Sequence, residues 1–144
     1  MDQVSEFVAN NLLLFAALFV VLVMLVKAEL DNMVNKGLLL SPANAIRLLN
    51  NNDDAIVLDI RTAGEFNKGH LKGAKNMPLS DFAKSVDSVS TDKQTPVLVY
   101  CNSGNTATRA IKLLKNAGFE KVNNLEGGIL AWKEANMPLT TKKK

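Results

Sequence analysis

Cys101 is the only cysteine of the chain, and it sits in Val99-Tyr100-Cys101-Asn102-Ser103-Gly104-Asn105-Thr106, where an apolar run gives way to a glycine-containing turn and then to a helical pattern. Every residue from Asn102 to Thr106 keeps a backbone N–H, and Gly104 permits a positive φ. Such a segment can curl with several donors pointing inward and form a nest for an anion at a helix start. The same field favours thiolate over thiol, since cysteines at helix starts commonly fall from ~8.5 into the range ~3.5–7.5. A thiolate made this way needs no general base, and the single histidine, His70, is far away in the chain. Asn102, Ser103 and Asn105 line the loop mouth, but for holding an anion their amides matter more than their side chains. The competing reading is a small buried thiol filling a gap in the core. The place of Cys101, after a strand and before a glycine turn, favours the nucleophile.

The elements that must position this loop can be read from hydrophobic pattern. Ala55–Leu58 and Val97–Tyr100 are short continuous apolar runs rich in branched residues, as expected of strands buried on both faces of a parallel sheet. Lys121–Leu125 reads as a third strand and Ala74–Met77 as a small extended piece. Helices are expected at Ala43–Leu49, capped by Ser41 with Pro42 in the first turn, and at Ala63–Lys68, Ser80–Ser85, Thr106–Asn116 and Ile129–Ala135. Gly118 supplies a stop for the fourth of these. Alternating strands and helices imply an α/β domain with a largely parallel sheet, in which ligands bind beyond the carboxyl ends of the strands. Cys101 falls at such an end. Asp59 and Arg61 close the first strand on the same edge, either to orient the loop or attract an anionic donor, or as a structural ion pair. Arg109, one turn into the helix after the loop, is a candidate for donor binding. Glu65 and Phe66 are expected to begin and pack a helix, and Trp132 to lie in the core.

Composition narrows the function. With 144 residues the length fits one domain with its own core, and 17 basic against 14 acidic groups, scattered among one another, are no nucleic-acid footprint. Lys142, Lys143 and Lys144 read as a solvated basic tail. One cysteine and one histidine make neither an intramolecular disulfide nor a metal centre.

The amino-terminal segment has a different character. Leu12 to Val26 is uninterruptedly apolar, and the stretch from Phe7 to Val26 is free of charge, which at ~1.5 Å per residue spans about 30 Å of bilayer. Asp2 and Glu6 precede it and Lys27-Ala28-Glu29 follow, which suits neither the basic start nor the cleavage site of a secretory signal. Basic residues flank only its carboxyl side, at Lys27, Lys36 and Arg47. The expectation is a single-pass protein of the inner (cell) membrane, in contact with its lipid bilayer, with the amino terminus outside and the domain in the cytoplasm. The chain then divides into a short tail (1–6), a transmembrane helix (7–26), a helix-tolerant linker (27–37), the α/β domain (38–140) and the basic tail (141–144).

Three stretches, in order, resemble the rhodanese family. Val99-Tyr100-Cys101-Asn102-Ser103-Gly104-Asn105-Thr106-Ala107 is similar to its active-site loop. Asp59-Ile60-Arg61 with Glu65-Phe66, Gly69-His70-Leu71, Gly73-Ala74 and Asn76-Met77-Pro78 is similar to its amino-terminal signature, and Leu125-Glu126-Gly127-Gly128 with Ala131-Trp132 and Pro138 to its carboxyl-terminal one. The resemblance implies a five-stranded parallel sheet flanked by helices. It also implies a sulfurtransferase in which Cys101 carries a persulfide, taking sulfane sulfur from thiosulfate or another persulfide and passing it to a thiol or cyanide in a ping-pong cycle, with no cofactor. Rhodanese-related phosphatases separate Cys and Arg by five residues, and Ala107 occupies that Arg position here. Several single-domain members carry Arg at the sixth loop position or nearby, where this chain has Thr106. Two alternatives stand beside the enzyme: a membrane-tethered module that binds a membrane-protein partner or assembly factor, and an oxidation-sensing thiol.

Overall fold

A computed structural model describes residues 1–36 and 38–143 of the chain. Gly37, expected to end the linker, and Lys144, the last lysine of the tail, lie outside the described residues. Two compact units are present, Met1–Val34 and Asn35–Lys144.

The first unit is helical: α1 spans Asp2–Asn10 and α2 Leu12–Lys36. Between them Asn11 leaves helical geometry at φ −121°, while its side-chain amide donates to the Phe7 carbonyl at 2.8 Å. The stretch expected to span, 7–26, is interrupted at Asn11. The helix long and apolar enough to cross a membrane is Leu12–Met33, 22 residues and about 33 Å, and it shares residues 12–26 with that expectation. Residues 27–36, expected as a helix-tolerant linker, continue α2, because nothing before Gly37 breaks a helix.

The second unit is an α/β domain. Its strands are β1 Leu38–Leu40, β2 Ile56–Asp59, β3 Lys75–Asn76, β4 Val97–Tyr100 and β5 Val122–Leu125. They form one five-stranded sheet in the order β1-β5-β4-β2-β3, every pair parallel. The helices are α3 Pro42–Asn51, α4 Ala63–Lys68, α5 Leu79–Ser85, α6 Ala107–Asn116 and α7 Gly128–Glu134. Ser41 caps α3 as expected, accepting from the Asn44 N–H, and Thr62 with Glu65 forms a reciprocal capping box at α4. α6 ends in a Schellman turn: the Gly118 N–H donates to Lys115 and the Phe119 N–H to Leu114.

Side-chain alternation along central β4 divides the core. Val97 and Val99 pack with Ala107, Ala110, Ile111 and Leu114 of α6 and Phe82 of α5. Leu98 and Tyr100 face Ala45 of α3, Phe66 of α4, and Ile129 and Trp132 of α7. The period of two continues past the strand end, so Cys101 falls on the α6 side, in the first cluster.

Candidate active-site loop

Cys101 follows β4 directly, and the loop to Thr106 leads into α6. The residue is only 2% exposed, whereas Asn102, Ser103, Asn105 and Thr106 are exposed. The thiol therefore has hydrocarbon behind it and the peptide loop in front. The Gly104 N–H, folded back at φ +92°, donates to Cys101 Sγ at 2.9 Å. Among the described residues, the N–H groups of Ser103, Asn105 and Thr106 have no acceptor within the protein. They belong to the segment expected to form the nest.

The loop is clamped from three sides. From α7, the Ile129 N–H donates to the Cys101 carbonyl at 2.9 Å and the Leu130 N–H to the Asn102 carbonyl at 3.2 Å. That approach requires Gly128, at φ +60°: a Cβ there would collide with the Cys101 carbonyl and lie 2.6 Å from that of Asn102. From β5, Asn124 Nδ2 donates to the Gly104 carbonyl at 3.3 Å, while buried Asn124 Oδ1 has no partner. From α4, Glu65 Oε1 accepts from Asn102 Nδ2 at 2.8 Å. Glu65 Oε2 meanwhile accepts from the Thr62 N–H at 3.0 Å and from its hydroxyl at 2.9 Å. The Asn102 bond, followed by those from Thr62, holds the Glu65 carboxyl below its ordinary range.

Asp59 and Arg61 are not part of the nest. Arg61 Nη2 lies 2.6 Å from Asp59 Oδ2 and donates to the Gly69 carbonyl at 2.8 Å, with both side chains buried. Tyr100 Oη donates to the same Asp59 oxygen at 2.7 Å and accepts from the Leu71 N–H. Burial opposes the guanidinium charge, but the hydrogen bond and field of Asp59 outweigh it and hold Arg61 firmly protonated. Burial, then the Asp59 charge, push the Tyr100 phenol up. Asp59 and Arg61 form the buried ion pair that was one of the roles expected of them. It fastens β2 to the end of β4, one residue before Cys101. Arg109 is exposed and without a partner among the described residues.

His70 is structural: it stacks on Phe66 at 3.7 Å, its Nδ1 lies 2.8 Å from the Phe66 carbonyl and its Nε2 3.0 Å from that of Lys142. The bridge between His70 and Thr140 fastens the start of the basic tail. Trp132 is in the core, with Nε1 donating to the Pro138 carbonyl. Sequence reasoning missed the loop contacts of Gly128, Asn124 and Glu65. The Gly127-Gly128 pair was visible, but no local pattern links a residue in α4 or β5 to a loop after β4.

Comparison with known proteins agrees with this geometry. The Rhodanese-like domain model matches residues 41–135. YibN of Escherichia coli (strain K12) is 31% identical over 144 residues, 99% of this chain and 100% of YibN. Thiosulfate sulfurtransferase GlpE of Shewanella oneidensis is 36% identical over 80 residues, 56% of this chain and 77% of GlpE. Among solved structures, the polysulfide-sulfur transferase homodimer of Wolinella succinogenes matches at TM-score 0.65 and 29% identity, over 81% of this chain and 88% of that one. With this sheet order, a cysteine at the end of β4 and a family match over most of the folded unit, the chain belongs to the rhodanese-like domain family.

Proposed function

We propose that the protein is a membrane-anchored sulfurtransferase in which Cys101 carries sulfane sulfur as a persulfide. The observation that carries the reading is the Gly104 N–H on Cys101 Sγ at 2.9 Å, with further unpaired amides around the same loop. In the first half-reaction the Cys101 thiolate attacks the outer sulfur of thiosulfate. The donor S–S bond breaks, sulfite leaves with the bonding pair, and Cys101–S–S⁻ remains. In the second, an acceptor thiolate or cyanide attacks the outer sulfur, and the Cys101 thiolate is released. Both forms of the enzyme place negative charge on sulfur at the centre of the loop. Preorganised N–H donors stabilise that charge without reorganising at each step. The likeness to GlpE and to the polysulfide-sulfur transferase supports the same chemistry.

The anchor in this reading is the apolar helix Leu12–Met33. The likeness to YibN extends over 99% of the chain, so it includes this segment. Lys36 and Arg47 follow this helix and Asp2 and Glu6 precede it, which favours the cytoplasmic face of the inner membrane for the domain; donors and acceptors are then thiols and persulfides of the cytoplasm or of neighbouring membrane proteins.

Turnover of thiosulfate with cyanide, and of cysteine persulfide with a thiol, by the detergent-solubilised full chain tests the reading. We expect turnover in the wild type and none in Cys101→Ser, with equal thermal stability. A folded wild type that turns over neither donor would leave the domain as a tethered interaction module.

A further inference from the structure

The charge around the loop mouth carries an inference about the donor, resting on the sulfurtransferase reading above. Among the described residues, no Lys or Arg side chain is bonded to any residue from Cys101 to Thr106. Arg61 is committed to Asp59 and the Gly69 carbonyl. Arg109 is exposed and unattached. The one charged side chain that the structure ties to the loop is an anion: Glu65, whose Oε1 accepts from Asn102 Nδ2 at 2.8 Å beside the cysteine. Its other oxygen is occupied by the α4 cap, so the carboxylate is fixed in place from both ends. The same bonds favour its ionised form, so it is charged at neutral pH.

We propose that Glu65 is a specificity-determining residue that disfavours dianionic thiosulfate and turns the loop toward donors of lower charge, namely low-molecular-weight or protein persulfides. The backbone amides stabilise negative sulfur on Cys101 equally whichever donor supplied it. Thiosulfate, however, brings two negative charges to a loop that carries a fixed carboxylate, whereas the persulfide group of R–S–SH brings one at most. Loading from a persulfide balances as Cys101–S⁻ + R–S–SH → Cys101–S–S⁻ + R–SH. The donor S–S bond breaks, the new S–S bond forms on Cys101 Sγ, and the proton leaves on the donor thiol. No oxidant or reductant is needed.

The test is the ratio of kcat/KM for thiosulfate to that for cysteine persulfide, measured on the full chain at rising ionic strength and in Glu65→Gln. At close range a unit charge partly screened by water changes such a ratio roughly three- to tenfold. We expect Glu65→Gln to raise the thiosulfate-to-persulfide ratio by about that factor, and added salt to raise the wild-type ratio toward the variant's as the charge is screened. A merely structural Glu65 would change both donors together, and the ratio would respond to salt in the same way in wild type and variant. A ratio unmoved by the variant, or one with the same salt dependence in both proteins, overturns the proposal. The ratio compares two donors on one protein, so a disturbed α4 cap, which would lower both together, leaves it readable. Failure of both donors to load Cys101 at all would instead overturn the sulfurtransferase reading.

Discussion

At Cys101 the sulfur meets hydrocarbon on one side and the Gly104 N–H on the other, and the second side depends on close backbone approach. Gly128→Ala places a methyl group against the Cys101 and Asn102 carbonyls at a positive φ. We expect it to break the clamp from α7, costing about 1–3 kcal/mol of stability and most of the sulfur loading; denaturant titration alongside a turnover assay checks both. Asp59→Asn removes the partner of buried Arg61 and weakens the Tyr100 bond. The cost expected for an uncompensated buried charge is about 3–5 kcal/mol, visible as an earlier urea midpoint. Glu65 gives a pH dependence. Its folded-state value is lowered from the ordinary 4.5, so the stability it contributes is complete above 4.5 and is lost as pH falls through the folded value. The thermal midpoint of Glu65→Gln should therefore lie below the wild type at neutral pH, with the gap narrowing in acid as pH falls below the ordinary 4.5. A gap that persists in acid would show that the Glu65 contacts do not depend on its charge.

At the scale of elements, β4 and α6 place the cysteine, and both were legible. Val97–Tyr100 is a β-branched run after Pro96, and α6 has apolar residues at helical spacing, with Ala107, Ala110, Ile111 and Leu114 fully buried. Leu114→Ala should cost about 2–5 kcal/mol by denaturant melting, because it opens a cavity under the helix that holds the loop. A cost below 1 kcal/mol would mean α6 is not fixed by that contact. The position of Cys101 at a strand end before a helix was legible because strand, glycine turn and helix are consecutive in the chain. β1 was not read as a strand: Leu38–Leu40 is three leucines, too short for alternation, and it forms only because β5 offers an edge, pairing Leu38 with Asn123. The break at Asn11 was obscured by the unbroken apolar character on both sides of it. The fate of Asp59 and Arg61 was left open because the third partner, Tyr100, lies 41 residues away in sequence and becomes their neighbour only through β2–β4 pairing.

At the scale of the whole molecule, an exposed apolar helix precedes a rhodanese-like domain in the chain. If the helix spans the membrane as proposed, the protein should stay with membranes through alkaline washing. The domain should be degraded by protease only after the cytoplasmic side is opened. Extraction by alkali, or digestion of the domain from outside, would contradict that placement. A tethered transferase meets only donors and acceptors that reach the bilayer surface, which suits relay between protein thiols. The central claim, that the amide loop holds sulfane sulfur on Cys101, is tested most directly by intact-mass measurement of the full chain after brief exposure to thiosulfate or cysteine persulfide. The account predicts a gain of one sulfur atom, mapped to the peptide carrying Cys101, absent from Cys101→Ser and discharged by cyanide or an acceptor thiol. A wild-type mass that stays unchanged with both donors would contradict it.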